Sequence, residues 1–250
     1  MGKCTESAHR FGLTGSLDKV ESNIMLIRGM IGDVVRVTTT KKLMEDGHLT
    51  PIDIKAILLD YSHDTKQLCK DFDYHKEIEF ICQHDKRNKF IRNLSLSLNG
   101  NTLILYNLVE KHGKILYNMI KERADTNRKI FFVHGDVEAE DRDTIRHIVE
   151  SENNAIIVAS MGTFSAGVNI KRLHNVILAS PTKSVIRLLQ SIGRGLRLAN
   201  DKNTFNLYDI ADNLARSTKN KNYTYKHLLE RLAIYNSEEF KFKVINVSLE

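Results

Sequence analysis

Thr102-Leu103-Ile104-Leu105-Tyr106 is a short apolar run that decides the fold, because four runs of the same kind follow it along the chain. The later runs are rich in β-branched or aromatic residues, and stretches with helical periodicity separate them: 129–133, 154–159, 175–178 and 204–208. Strands that are apolar on both faces and alternate with helices are typical of a parallel sheet covered on both sides. The sequence therefore predicts an α/β fold between residues 99 and 250, with a doubly wound parallel sheet and helices on both faces.

The first hundred residues are less regular, and we predict that they form a smaller α+β segment before the sheet. Their patterns indicate helices at 24–30, 40–46 and, as one or two elements, 73–98, with strands at 34–37 and 52–61. No Gly/Ser-rich linker separates the two halves of the chain, so we expect them to pack as one continuous unit.

The composition bounds the class of protein. Of the 250 residues, 42% are hydrophobic and 27% are charged, which excludes disordered, collagen-like and disulfide-scaffold proteins. The 37 Lys and Arg residues exceed the 31 Asp and Glu residues, giving a formal net charge of +6. This excess favours a polyanionic partner, although a solvated basic surface would explain it equally well.

The cysteines and the hydropathy pattern predict an intracellular, cytoplasmic protein without a membrane partner. Three cysteines are too few for a disulfide framework, and no apolar stretch has the length of a signal peptide or a membrane span. A zinc site is the alternative for one cluster, which consists of Cys69, His75, Cys82 and His84. Because no pair in it has zinc-finger spacing, we predict that the chain binds no metal.

The most informative polar stretch is Gln190-Ser191-Ile192-Gly193-Arg194-Gly195-Leu196-Arg197, on a helix predicted from 184 to 196. Arg194 and Arg197 are three residues apart, so they share a helical face where two guanidinium groups could meet a triphosphate. Gly193 would allow a ligand or a backbone to approach closely. The alternative is a basic surface helix with ordinary ion pairs.

Ligands of parallel sheets bind beyond the carboxyl ends of the strands, so the loops after the predicted strands are the second place to look for chemistry. Asn107, the pair His134-Gly135, and the stretch from Ser160 to Gly162 follow three of these strands. Each has a structural alternative, because Ser160 could simply cap the next turn and His134-Gly135 could be a turn alone.

Taken in order, these stretches resemble the motifs of superfamily 2 helicases. The run 190–197 resembles motif VI, 157–169 motif V, 102–107 motif IV, 132–135 with Arg142 motif IVa, and 10–17 motif III. A narrower resemblance, to recombination and repair helicases of bacteriophages, rests on the run 38–47, the pair Phe164-Ser165 and the region of Asp209.

The resemblance implies a domain organisation and a role for each matching residue. Residues 99–250 would be the C-terminal RecA-like helicase domain, residues 1–18 the end of a missing N-terminal RecA-like domain, and residues 19–98 a connecting segment. Phe11-Gly12-Leu13 would be a strand left without its sheet.

The resemblance also implies a role for each matching residue. The implied catalytic residues are Arg194, Arg197 and Gln190, and the implied nucleotide-binding residues are Gly167, Asn169 and Gly193. The implied nucleic-acid contacts are Asn107, His134, Gly135, Ser160 and Gly162, and the interdomain coupling residues are Thr14, Gly15 and Ser16. Asn169 departs from the Asp that is usual in the family, which weakens its assignment to the nucleotide.

Two phosphate-handling motifs of such motors do not occur in the sequence. There is no Gly-x-x-x-x-Gly-Lys-[Ser/Thr] loop and no Asp-Glu-x-x strand end. We therefore predict that ATP and Mg²⁺ are held mainly by a missing N-terminal RecA-like domain, in cis or in trans, and that the chain alone is inactive. The predicted polymer partner is DNA, or an RNA–DNA hybrid. A self-standing nucleic-acid-binding module, or a truncated remnant without catalysis, is the alternative.

Two basic stretches remain outside these motifs. The stretch 216–226 interleaves Lys and Arg with Tyr223 and Tyr225, which could grip a nucleic acid, but we favour a solvated loop leading into a helix at 225–236. Lys86, Arg87, Lys89 and Arg92 lie on one predicted helix, where we expect a solvated basic face.

Overall fold

The structure is a computed structural model. It describes residues 9–13, 21–35, 37–165, 170–181, 193, 196–199, 201–215, 217 and 220–249. These residues form two compact units, one ending at Thr39 and the other starting at Thr40. Among the described helices, none combines the length and the apolar character needed to cross a membrane.

The second unit is built on one sheet of seven parallel strands, in the order β3-β4-β2-β5-β6-β1-β7. In chain order these are β1 (Ile52–Asp60), β2 (Thr102–Tyr106), β3 (Ile130–Val133), β4 (Ile156–Ser160), β5 (Asn175–Leu178), β6 (Phe205–Asn213) and β7 (Phe242–Ser248). The parallel α/β sheet predicted from the apolar runs is therefore confirmed. The predicted strand at 204–208 continues to Asn213, and β7 was not predicted.

Strand β1 lies inside this sheet, between β6 and β7, although it precedes residue 98 in the chain. Ile52 pairs with Phe205, and the parallel register continues to Asp60 and Asn213. Residues from Thr40 onward thus form one unit with the sheet, which corrects the predicted boundary at residue 98. The apolar pattern revealed that 52–60 is a strand, but a pairing with residues so distant in sequence leaves no local signal.

Helices cover both faces of the sheet. They are α2 (Thr40–Glu45), α3 (His63–Leu68), α4 (Tyr74–Gln83), α5 (Asp85–Ser97), a π-helical turn (Val109–Gly113), α6 (Lys114–Lys121), α7 (Ala139–Ser151), α8 (Met161–Ser165) and α9 (Tyr223–Ser237). Alternate residues of β2 point to opposite faces. Leu103 and Leu105 join the core that includes α7 and α9, whereas Ile104 and Tyr106 join the core that includes α4, α5 and α6.

The first unit contains α1 (Glu21–Met30), in which no residue is buried. Residues 9–13 form neither helix nor strand, and Phe11 and Leu13 are 91% and 99% exposed. The segment Phe11-Gly12-Leu13 thus lies outside the seven-stranded sheet, as predicted, although it does not form a strand. The strand predicted at 34–37 is absent as well, as far as its described residues 34, 35 and 37 are concerned.

A buried carboxylate from α4 caps the long helix α9. Glu77 accepts hydrogen bonds from the backbone N–H groups of Tyr223 (3.1 Å) and Thr224 (2.7 Å), and from the side-chain amide of Asn222 (2.9 Å). Asn222, which precedes the helix, makes no side-chain cap of its own. A carboxylate at this place pairs N–H groups that the helix leaves without partners and complements its dipole. Glu77 therefore fixes α9 against α4.

Replacing this cap should destabilise the fold. We expect Glu77→Ala to lower the free energy of unfolding by about 1–3 kcal/mol, because buried N–H groups of α9 lose their acceptor. The measurement is urea unfolding followed by circular dichroism. Glu79→Ala removes an exposed carboxylate from the same helix and should stay close to wild type. Equal losses in the two variants would contradict the capping role.

Candidate nucleic-acid interface

The carboxyl ends of β3, β4 and β2 lie level with one another, along the side of the sheet where its parallel strands end. We call this side the carboxyl edge and these three strand ends the level row. Val133 is in register with Ala159, and Tyr106 is in register with Ser160. Neighbouring strands lie about 4.8 Å apart, so His134, Ser160 and Asn107 follow one another over roughly 10 Å. The structure therefore brings together the strand-end residues predicted to contact nucleic acid, which are Asn107, His134, Gly135, Ser160 and Gly162.

Ser160 has the capping role that was its structural alternative. Its hydroxyl oxygen accepts the N–H of Thr163 (3.2 Å) and lies 2.7 Å from the Thr163 hydroxyl, which caps the short helix α8. Ser160 is nevertheless only half-buried, and Gly162, two residues on, is exposed. A Cβ atom at Gly162 would meet nothing within 4 Å, so packing within the described residues does not require a glycine there.

His134-Gly135 forms a turn, as its structural alternative proposed. The carbonyl of His134 accepts the N–H of Val137 (3.2 Å), and the His134 ring packs 5.1 Å from the Phe132 ring. Nδ1 of His134 lies 3.4 Å from the Asp136 carboxylate, a separation that makes an ion pair only when the imidazole is protonated. Gly135 is exposed, and the space where a Cβ atom would stand is open.

Asn107 joins the end of β2 to the loop after β5. Its backbone N–H donates to the hydroxyl of Ser180 (3.1 Å), and its side-chain amide donates to the carbonyl of Pro181 (3.2 Å). Ser180 and Pro181 are buried, whereas Asn107 is exposed. The predicted nucleic-acid contact is thus attached to the segment that leads towards Arg194 and Arg197.

An ion pair with no exposure lies beneath this edge. Arg87 of α5 donates from Nε to Oδ1 of Asp212 (2.7 Å) and from Nη2 to Oδ2 (3.1 Å), and Nη2 also donates to the carbonyl of Ala179 (2.7 Å). Tyr61 donates its hydroxyl to Asp212 (2.8 Å). Burial opposes the charge of Arg87, but the Asp212 carboxylate outweighs it and raises the pKa of the guanidinium. The predicted solvated face on α5 is therefore wrong for Arg87.

His112 of the π-helical turn extends this buried network to Ser180. Its Nε2 lies 3.4 Å from Nη1 of Arg87, and its Nδ1 lies 2.9 Å from the Ser180 hydroxyl. Burial and the charge of Arg87 both hold the pKa of His112 well below its usual value, so the imidazole is neutral. This role could not be predicted from the sequence, because a single histidine between two predicted strands carries no spacing signal of its own.

The opposite, amino edge of the sheet is held by structural contacts. The amide nitrogen of Asn101 donates to the carbonyls of Val149, Glu152 and Arg172 (2.9 Å each), and its oxygen accepts the N–H of Ala155 (2.9 Å). Arg172 pairs in turn with Asp201. The polar groups of Asn101 and Arg172 are therefore engaged in holding the sheet together.

Arg197 is attached to this amino edge by its backbone. Thr50, just before β1, donates its N–H to the carbonyl of Leu196 (2.7 Å) and its hydroxyl to the carbonyl of Arg197 (3.1 Å). The side chain of Arg197 is exposed, as is Gly193. Arg197 therefore stands on a different edge of the sheet from Asn107. Gln190, Arg194, Gly167, Asn169, Thr14, Gly15 and Ser16 lie outside the described residues.

Two residues of the alternative zinc cluster, Cys69 and His84, have structural environments. Burial raises the pKa of the Cys69 thiol to about 11, and Nδ1 of His84 accepts the backbone N–H of Arg87 (3.3 Å) at the start of α5. Within the described part of the chain, no three potential metal-ligating side chains come together.

A family model for the helicase conserved C-terminal domain matches residues 85–199. The chain carries a helicase C-terminal domain. This match covers β2 to β5 with the loops of the level row, and it extends to the predicted motif VI. The resemblance to the C-terminal half of superfamily 2 helicases, predicted from the motif order, is confirmed.

Two comparisons relate the chain to one phage helicase. It is 37% identical over 252 residues to the ATP-dependent DNA helicase uvsW of Enterobacteria phage T4, a match that covers 96% of this chain and 49% of the relative. The crystal structure of T4 UvsW superposes with a TM-score of 0.69 at 31% identity, covering 91% of this chain and 46% of that one. The chain therefore spans about half the length of this relative.

A more distant structure supports the fold alone. The C-terminal domain of the DEAD-box protein Dbp5 matches with a TM-score of 0.51 at 12% identity, over 78% of this chain and 90% of that chain. The helicase C-terminal domain described here therefore has the RecA-like architecture of that domain.

Removing the buried cation should cost much of the stability. We expect Arg87→Ala to lower the free energy of unfolding by about 3–5 kcal/mol, because Asp212 would remain buried and charged without its partner. Urea unfolding measures this loss. Lys89→Ala removes an exposed cation from the same helix and should leave the midpoint nearly unchanged. If Arg87→Ala lowers the free energy of unfolding no more than an ordinary surface substitution does, the ion pair does not have the predicted role.

The neutral state of His112 predicts a pH dependence of stability. Since its pKa is depressed in the folded state, the unfolded chain takes up a proton first, and stability falls as the pH drops below about 6.5. We expect His112→Asn to weaken the loss of stability between about pH 7 and about pH 5.5. Urea midpoints at several pH values measure it.

The exposed histidine of α4 provides the matched control for this pH dependence. His75→Asn also removes one imidazole, but from the surface, and should keep the wild-type profile. If His112→Asn and wild type lose stability in parallel on acidification, His112 does not contribute to the dependence.

Proposed function

We propose that the chain is the C-terminal motor domain of an ATP-dependent helicase of superfamily 2, which acts on DNA or on an RNA–DNA hybrid during branch remodelling in recombination and repair. The observation that carries this proposal is the level row at the carboxyl edge of β3, β4 and β2. It collects the residues of three separate helicase motifs on one exposed edge. The relationship to a protein named as an ATP-dependent DNA helicase supports the choice of DNA.

The chemistry of the row suits a nucleic-acid backbone better than base recognition. Asn107 offers an amide, Ser160 a hydroxyl and Gly162 a backbone without a side chain, and none of these groups carries a charge. Such groups bind phosphate and sugar oxygens, which position a protein on a strand without reading its sequence. A motor that moves over any sequence requires this kind of contact. The formal charge of +6 would add a salt-dependent attraction to the polymer.

The nucleotide would be contacted by the residues of the stretch that resembles motif VI, 190–197. We propose that Arg194 and Arg197 stabilise the γ-phosphate of ATP as charge develops on it, and that Gln190 orders the same interface. Gly193 would permit close approach, while Gly167 and Asn169 would lie near the nucleotide. The backbone of Arg197 is fixed through Thr50, which supports a defined position for its exposed side chain.

A companion N-terminal RecA-like domain would supply what this chain's sequence does not contain. In this proposal it holds ATP and Mg²⁺ with its phosphate-binding loop, in cis or in trans, and Thr14, Gly15 and Ser16 couple the two domains. The length comparison is consistent with such a companion, since the chain spans about half of the relative. By itself, the chain would not hydrolyse ATP.

Reconstitution tests this proposal. An N-terminal motor domain, for example that of T4 UvsW, is mixed with the chain, and ATP hydrolysis is measured with and without DNA. We expect DNA-stimulated hydrolysis only in the mixture, and we expect Arg194→Ala or Arg197→Ala to lower it at least about 100-fold. Arg123→Ala, at an exposed position after α6, is the matched control and should retain the rate.

Two outcomes would contradict the proposal. Hydrolysis by the isolated chain at the rate of the mixture would show that it needs no companion. Binding of DNA without any restored hydrolysis would favour the alternative, a self-standing nucleic-acid-binding module.

A further inference from the structure

Two hydrogen bonds to neighbouring residues after β5, Ser180 and Pro181, hold Asn107 in one conformation. Its backbone N–H and its side-chain amide donate to Ser180 Oγ and to the Pro181 carbonyl, at 3.1 and 3.2 Å. Among the described residues, the second amide hydrogen and Oδ1 of Asn107 make no hydrogen bond. An exposed N–H donor is therefore presented at the edge of the sheet in a fixed direction.

The hydrogen-bond directions at Ser180 follow from Arg87. A guanidinium has only donors, so Nη1 of Arg87 can contact Nε2 of His112 only if that nitrogen accepts. The neutral imidazole then carries its proton on Nδ1 and donates it to Ser180 Oγ, 2.9 Å away. The N–H of Asn107 is the second donor to the same oxygen. A hydroxyl at residue 180 is thus required as the acceptor of two donors.

The network behind Ser180 is rigid because its members are buried and multiply bonded. Ser180 and His112 are 1% and 0% exposed, and Arg87 is fixed by both oxygens of Asp212 and by the Ala179 carbonyl. These groups come from α5, the π-helical turn and the ends of β5 and β6. The position of the Ser180 hydroxyl is therefore determined by four elements at once.

We propose that Ser180 is the positioning residue of this edge, holding Asn107 so that its outward N–H meets a phosphate oxygen of a bound nucleic-acid strand. Ser180 does not touch the nucleic acid itself. His112 and Arg87 orient its hydroxyl. This inference rests on the proposed nucleic-acid role of Asn107, and it adds a residue that lies in none of the matched motifs.

An uncharged positioning residue leaves a distinctive signature in binding data. A neutral group that binds a phosphate displaces no counterion from the nucleic acid. Removing it therefore lowers the affinity without changing the number of counterions released on binding. The slope of log K against log salt concentration therefore stays constant while the whole line moves to weaker binding. A variant that damaged the basic surface of the chain would change the slope instead.

The test is fluorescence anisotropy of the full chain with a fluorescein-labelled single-stranded oligothymidylate, over a series of NaCl concentrations. We expect Ser180→Ala and Asn107→Ala each to weaken binding roughly fivefold with an unchanged salt slope. The double variant should be no weaker than Asn107→Ala alone, because both changes remove the same contact. Ser180→Thr keeps the hydroxyl and should recover most of the affinity.

Ser95→Ala is the matched control for a general loss of stability. Ser95 is also a buried serine whose hydroxyl donates to a backbone carbonyl, that of Arg92 (2.7 Å), but it lies on α5 away from the carboxyl edge. We expect this variant to bind like wild type even if its melting temperature falls. If Ser180→Ala does not fold, His112→Asn and His112→Phe replace it, since Asn retains an N–H for Ser180 and Phe does not.

The outcomes separate this inference from the proposed function. If Asn107→Ala weakens binding while Ser180→Ala, or the His112→Phe substitute, binds within about twofold of wild type, the positioning role is overturned and the function stands. If Asn107→Ala binds like wild type, the nucleic-acid role of Asn107 fails, and this inference fails with it. Equal weakening by Ser95→Ala and Ser180→Ala would also overturn the positioning role.

Discussion

The buried ion pair between Arg87 and Asp212 is the constraint on which the carboxyl edge of the sheet depends. Removing two charges from water is costly, and the structure offsets that cost with a two-pronged pairing and further bonds to Tyr61 and the Ala179 carbonyl. A pair with such requirements tolerates little displacement. It therefore fixes α5 against the ends of β5 and β6, from which the loops of the candidate site start.

The same requirement extends outward to the exposed residues. Because Arg87 can only donate, it selects the tautomer of His112, and His112 in turn directs a proton at Ser180. Ser180 then receives the backbone of Asn107. These hydrogen bonds thus connect the buried ion pair to Asn107, which is exposed at the carboxyl edge.

The two edges of the sheet differ in how their polar groups are bonded. At the amino edge, the Asn101 side chain bonds to four backbone groups, and Arg172 ties the strands that begin beside it. At the carboxyl edge, Asn107, Gly135 and Gly162 remain exposed. The backbone of Arg197 is anchored at the amino edge, so the proposed nucleic-acid contact of Asn107 and the proposed γ-phosphate contact of Arg197 lie at different edges of the sheet.

The sequence by itself determined the alternation of strands and helices, the identity of β2 to β6 and the strand-end positions of Asn107, His134 and Ser160. These features are local, since a strand or helix reveals its buried face through the periodicity of neighbouring residues. Only the tertiary structure decided that β1 belongs to the sheet, that Arg87 is buried with Asp212 rather than solvated, and that His112 and Ser180 support Asn107. Each of these depends on partners far apart in the chain, and the pairing of distant residues leaves no periodic trace in a single sequence.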